Sequence, residues 1–339
     1  MDATFILVSI VIIIALVFDF TNGFHDAANA IATSVSTRAW TPRRALIMAA
    51  ILNIIGAMLG TEVAKTIGSG IITPETNTHG LIVILSALLG AIVWNMITWW
   101  FGLPSSSSHA LIGGLIGAGL VAGLHVAWFN IVFVVIIPMI ISPLIGFGLG
   151  YLVMIIAMLF LRNKPYHSTM RKARYCQWFS SAAIALGHGL QDAQKTMGVI
   201  VLALMAAGYH APEPDGEITI PFLVKFAAAL AISLGTYAGG FKIIKTLGRK
   251  VIQLDPLKGF VAESVGASVL YLSAYVFHAP ISTTHTITAS IMGVGATRRF
   301  SAVRWGVAGN IAVAWVLTLP ASGVVAAICY YIMHALYPL

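Results

Sequence analysis

Apolar residues fall in long blocks: 3–37, 44–64, 80–101, 109–127, 129–161, 177–207, 221–241, 259–277, 285–296 and 305–334 carry few charges. Many approach or exceed the ~20 residues that cross a bilayer core as a helix. The alternating segments of about ten residues that mark a membrane β-barrel are missing. The pattern predicts an all-α polytopic membrane protein. Block 3–37 is too long for one simple span, since at about 1.5 Å per residue it reaches roughly 50 Å against a core of ~30 Å. A break or a strong tilt is expected there, with Asn22-Gly23 as the place. The start, Met-Asp-Ala-Thr, is acidic and no small-residue cleavage site follows, so this block reads as a retained span.

The polar interruptions repeat in order. Asn22-Gly23-Phe24-His25-Asp26-Ala27 parallels His188-Gly189-Leu190-Gln191-Asp192-Ala193 at an offset of 166. Lys65-Thr66-Ile67-Gly68 parallels Lys245-Thr246-Leu247-Gly248 at 180, and Pro104-Ser105-Ser106-Ser107-Ser108-His109 parallels Pro280-Ile281-Ser282-Thr283-Thr284-His285 at 176. Two homologous halves follow, 1–174 with a connector at its end and 175–339. Each has about five membrane segments, with broken or re-entrant helices at the Ser/Thr-rich motifs.

Charge orients the halves. Arg38, Arg43 and Arg44 follow the first block, whereas loop 208–220 in the second half holds Glu213, Asp215 and Glu217 and no Lys or Arg. Loop 65–79 balances Lys65 against Glu75, while 242–258 carries Lys242, Lys245, Arg249, Lys250 and Lys258. The uncharged stretch 121–130 matches Arg298, Arg299 and Arg304. Where one half is basic its partner is not, so equivalent loops are expected on opposite sides of the membrane. That is an inverted-topology repeat, a construction typical of secondary transporters and alternating access. The connector 162–174, with Arg162, Lys164, Arg171, Lys172 and Arg174, is expected in the cytoplasm and both termini outside.

Composition agrees. The chain is 59% hydrophobic and 9% charged, with a mean hydropathy of +0.93, against about 25% charged residues in soluble domains. The net charge of +8 sits mostly in short loops, so it reports topology and calls for no nucleic-acid partner. Cys176 and Cys329 offer neither a disulfide framework nor a metal-ligand spacing.

Ser105 to Ser108 follow a proline and precede a helical block, so they present hydroxyls and free N–H groups at a helix N-terminus. Ser282, Thr283 and Thr284 do the same in the second half. Two such ends suit a small tetrahedral oxyanion; the alternative is that these hydroxyls only bond their own helices or glue neighbours. Asp26 and Asp192 are carboxylates in membrane blocks, each costing at least ~2.5 kcal/mol on insertion scales. An anion beside them is repelled unless Na⁺ or a proton joins it, so symport is expected, with Na⁺ at Asp26 and Asp192 as one form. The alternative for Asp192 is a packing pair with Lys195. Asn22 and Asn29 flank Asp26, and Gln191 and Gln194 supply equivalents, while Gly23 and Gly189 permit an unwound backbone. Glu263 is a further intramembrane carboxylate, open to a cation or to a structural role. His109 and His285 follow the hydroxyl runs and suit anion donation or a proton relay. His25 precedes Asp26 directly and is ranked lower, because adjacent helical positions face apart. Glu62 and Lys65 are expected as an interfacial pair.

These motifs resemble the inorganic phosphate transporter (PiT) family in its bacterial form. The resemblance rests on Asn22–Ala30, Gly187–Lys195, the two Pro-initiated hydroxyl runs and the segment Gly259–Ser264, and it spans nearly the whole chain. It implies a carrier, not an enzyme, that takes up inorganic phosphate with Na⁺ or H⁺ across the plasma membrane and needs no other cofactor. It also implies that the hydroxyl motifs and the Asp/Asn elements hold phosphate with Na⁺ or H⁺ bound beside it; the residues themselves assign Asn29 and Gln191 to phosphate and Asp26, Asp192, Asn22 and Glu263 to the cation. Gln191 departs from the Asn often found before the second Asp. A sulfate permease of the same family is the alternative. An intramembrane hydrolase using Ser, His109 and Asp26 is a distant one, lacking a Gly-x-Ser-x-Gly elbow. The residues leave a homo-oligomer open.

Overall fold

The computed structural model describes residues 3–213 and 217–336, so Met1, Asp2 and the Asp215 of the acidic loop lie outside the described residues. Among the described residues twelve helices of more than three residues account for the fold, abutting segments being counted as one. The first six are α1 Ala3–Ser36, α2 Pro42–Met58, α3 Glu62–Gly70, α4 Thr78–Phe101, α5 Ser107–Val121 and α6 Trp128–Leu161. The next six are α7 Tyr166–Ala206, α8 Phe222–Ala238, α9 Phe241–Lys250, α10 Pro256–Phe277, α11 Thr283–Ala296 and α12 Trp305–Leu336. No strand occurs among the described residues, only one isolated bridge between Ile72 and Val126. The all-α polytopic expectation therefore holds. Five helices are long and apolar enough to cross a membrane, or seven if each bent pair is one span.

One order of elements occurs twice: long helix, helix, short bent helix, helix, short hydroxyl-capped helix, long helix. The bent pairs are α2–α3, at 72°, and α8–α9, at 59°. The short members α3 and α9 fall where the sequence predicts the loops 65–79 and 242–258. Residues 166–174 of the expected connector are also helical, because Pro165 sits at the N-cap and α7 begins at Tyr166.

The halves interlock. α1 packs along α8 and α7 along α2, while α5 lies on α12 and α11 on α6. Each of these contacts joins an element of residues 1–174 to one of 175–339. Four apolar clusters form among the described residues, two of them large. One includes Leu111, Ile112 and Leu115 of α5 with Leu81 and Leu88 of α4. The other includes Ile287, Ile291 and Val294 of α11 with Val261 and Leu270 of α10. Large apolar side chains such as Phe5, Ile13, Leu144 and Val316 remain exposed, as lipid-facing surfaces require.

α1 runs unbroken through Asn22-Gly23, and α7 runs unbroken through Gly189, against the unwinding expected at both glycines. The reason is close approach. A methyl group on Gly23 would lie 2.1 Å from the Ile232 carbonyl oxygen of α8, and one on Gly189 would lie 2.3 Å from that of Asn53 in α2. These glycines keep the helix and let a neighbouring backbone touch it.

Gly23→Ala should lower the melting temperature of the detergent-solubilised protein by the equivalent of roughly 1–3 kcal/mol of overpacking. Gly306→Ala, where a methyl meets nothing within 4 Å, should leave it unchanged.

Candidate functional site

The two hydroxyl runs cap helices that meet head to head. After Phe101 the chain turns at Gly102 (φ +66°), passes Pro104 and Ser105, and enters α5 with the Ser106 hydroxyl accepting from the His109 N–H at 3.2 Å. After Phe277 it turns at His278 (φ +49°), passes Pro280 and Ile281, and enters α11 with Ser282 accepting from the His285 N–H at 3.2 Å. Both loops are pinned: the Trp315 indole N–H donates to the Pro104 carbonyl at 2.9 Å, and the Ser273 hydroxyl donates to that of Ala279 at 2.8 Å. The imidazoles of His109 and His285 are 4.8 Å apart.

Against these helix ends stand the buried faces of α1 and α7. The Ser107 hydroxyl lies 2.6 Å from both the Asp26 Oδ2 and the Asn22 Oδ1. Thr284 donates to Asp26 Oδ1 at 3.3 Å, and Thr283 to Asp192 Oδ2 at 3.0 Å. The Asn29 amide donates to both threonines, at 3.2 Å to Thr283 and 2.8 Å to Thr284. Lys195 completes the set: its ammonium reaches Asp192 and the Ser108 hydroxyl at 2.5 Å each, and the Ile281 carbonyl at 3.0 Å. Oxygen atoms of Asp26 and Asp192 and a ring nitrogen of His188 all lie within 4.8 Å of one another. Every one of these side chains is buried, so the cluster is closed to solvent.

The structure thus brings together Asn22, Asp26, Asn29, Ser107, Ser108, Asp192, Thr283 and Thr284. Ser105 sits one step away, donating to Thr98 at 2.8 Å. Ser106 and Ser282 spend their lone pairs on the caps. Gln191 turns toward the second loop instead, its amide donating to the Leu270 and Ala279 carbonyls at 3.4 Å each. His109 and His285 face one another, and His285 stacks on Trp315 with centroids 4.0 Å apart. Glu263 lies in a separate polar cluster, accepting from Thr33, from Ser180 at 2.5 Å and from Gln177 at 3.1 Å. Glu62 and Lys65 pair at 3.2 Å as expected, and Lys65 also reaches Glu217 at 3.0 Å.

Three partners go beyond the sequence reading, and Lys195 forms the pair with Asp192 that the sequence offers as an alternative. His25 does meet Asp26, its Nδ1 lying 2.6 Å from Oδ1 while its Nε2 lies 3.2 Å from the Thr98 hydroxyl of α4. His188 Nε2 lies 3.0 Å from Asp192 Oδ2, one helical turn away. Lys195 belongs to the cluster itself. Asp19 is fully buried, with neither carboxylate oxygen in a hydrogen bond among the described residues. It stands beside Thr196 and Asn22, in the field of Asp192 and Lys195. The signal was legible: Asp19, Asn22, Asp26, Asn29 and Thr33 are spaced 3, 4, 3 and 4, one continuous face of α1.

Comparison with known proteins finds relatives along nearly the whole chain. The phosphate transporter family matches residues 22–326. A "Probable low-affinity inorganic phosphate transporter" of Bacillus subtilis (strain 168) is 46% identical, covering 99% of this chain and 100% of that protein. A protein of the same description from Rhizobium meliloti (strain 1021) is 48% identical over 98% of each. A solved structure titled "The sodium-dependent phosphate transporter" superposes with a TM-score of 0.88 at 25% identity, covering 97% of this chain and 99% of that one.

Lys195→Met leaves the Asp192 carboxylate buried without its ammonium and should cost about 3–5 kcal/mol of stability. Adding Asp192→Asn should restore part of the loss, read as a partial recovery of the melting temperature.

Proposed function

The chain belongs to the phosphate transporter family, and from that premise we propose that it is a secondary carrier that moves inorganic phosphate together with Na⁺ or H⁺ by alternating access. The role is transport, which displaces the hydrolase alternative. One observation supports the coupling above all: the donors suited to an anion are already committed to carboxylates. Ser107 and Thr284 serve Asp26, while Thr283 and the Lys195 ammonium serve Asp192.

The mechanism follows from competition for those protons. Two buried carboxylates, Asp26 and Asp192, share one ammonium, so an incoming oxyanion meets net repulsion. A cation on Asp26 and Asp192 removes that repulsion and releases the donors. Ser107, Thr283, Thr284, Ser108 and Lys195 can then rotate onto phosphate oxygens at the ends of α5 and α11, where the helix dipoles also favour the anion. Phosphate retains a proton at neutral pH that a carboxylate can accept, which sulfate lacks. Asn29, bonded to both threonines, makes the response of the two halves common.

Residues 1–174 and 175–339 act in this reading as inverted repeats, the twofold order of elements and the opposite loop charges supporting it. The segment 162–174 then faces the cytoplasm of a plasma-membrane protein and both termini face outward. Glu263, held by three donors, serves as a second cation position or as a polar bolt between α1, α7 and α10.

Radiolabelled phosphate uptake into proteoliposomes, with imposed Na⁺ or pH gradients and sulfate as competitor, tests the proposal. Uptake should follow one of the gradients and resist sulfate. Insensitivity to both gradients refutes symport, and displacement by sulfate moves the substrate to the alternative. Asp26→Asn should reduce gradient-driven uptake about tenfold or more, since buried hydrogen bonds to a charge are worth roughly 1.5–3 kcal/mol. Wild-type rates in that variant would remove Asp26 from the mechanism.

A further inference from the structure

The far end of α11 opens on a different chemistry. A cavity of about 510 Å³ is lined there by Gln253 and Lys258 from one loop region and by Arg298, Arg299, Ser301 and Arg304 from another. These are two of the basic segments that the charge pattern assigns to the cytoplasmic face. The fold joins them, since the Arg304 N–H donates to the Val251 carbonyl at 3.0 Å. Lys258 is already neutralised by Asp255 at 3.0 Å. Among the described residues Arg298, Arg299 and Arg304 form no ion pair, and all three are exposed. Three guanidinium forks converging without a carboxylate are an unmet demand for oxyanion acceptors.

An aromatic pair gives the depth. Phe300 and Trp305 stack with centroids 4.5 Å apart, yet remain 64% and 40% exposed. The Trp305 indole N–H is tied to the Phe300 carbonyl at 2.9 Å, which keeps the pair in place. Exposed aromatics with a polar edge belong at the headgroup level of a bilayer. The arginines beside them therefore stand where lipid phosphates are found, and about 20 Å of α11 separates them from Thr283.

We propose that this cavity is a second oxyanion site, distinct from the transport cluster, which grips a phosphate group at the cytoplasmic membrane surface. The phosphate can come from an anionic phospholipid headgroup or from free inorganic phosphate, and the aromatic pair favours the lipid. Basic pockets between helices on that side of a membrane are suited to such headgroups.

The test uses the purified full chain in detergent, with short-chain phosphatidylglycerol, short-chain phosphatidylcholine and inorganic phosphate as probes. Phosphatidylglycerol should bind the wild type and bind the Arg298→Gln, Arg299→Gln, Arg304→Gln triple variant about 10²-fold more weakly, at roughly fivefold per arginine. Phosphatidylcholine, whose ammonium the arginines repel, should bind weakly to both. Inorganic phosphate that displaces phosphatidylglycerol from the wild type supports the site and names free phosphate as an occupant as well. Equal phosphatidylglycerol binding by wild type and triple variant overturns the proposal. If the triple variant does not fold, three single variants each binding as the wild type overturn it equally. None of these readouts depends on uptake, so failure here leaves the transport mechanism standing.

Discussion

Everything at the centre of this protein depends on one imbalance, the buried carboxylates of Asp26 and Asp192 with a single buried ammonium between them. In water the excess charge would be dispersed; inside a membrane each unpaired carboxylate is a liability of several kcal/mol. The fold contains it with every donor it can aim there, taken from four helices that are far apart in sequence. The same donors are the groups an oxyanion wants.

The interlocked halves explain how the donors are aimed. Each hydroxyl-capped helix rests on the terminal long helix of the other half, and each polar long helix lies against a helix of the other half through glycine contacts that admit no side chain. Displacing one element therefore disturbs packing in both halves. The site belongs to neither half, because Asn29 of α1 bonds threonines of α11 while Lys195 of α7 bonds Ser108 of α5.

Much of this was legible because a membrane makes polarity expensive. Asp26, Asp192 and both hydroxyl runs stand out against apolar blocks, and the N-caps follow from Ser beside Pro. Other features were hidden for physical reasons. Gly23 and Gly189 can serve unwinding or close approach, and spacing within one helix does not decide between them; the opposing backbones of α8 and α2 do. α3 and α9 carry too many polar residues to register as membrane helices, and the bend between α8 and α9 falls at Gly239, whose φ is +74°. His25 was discounted by a rule about adjacent positions that describes Cβ directions, whereas a ring on a rotatable side chain can still reach its neighbour. Asp19 was overlooked although its spacing to Asn22 and Asp26 marks the same face.

The ammonium of Lys195 holds three elements at once, through Asp192 on its own helix, Ser108 on α5 and the carbonyl of Ile281 before α11. Separation of any one of them leaves a desolvated charge short of an acceptor, so half-open arrangements are the least favourable ones. Through that one ammonium, α5, α7 and the loop before α11 are held as a single unit.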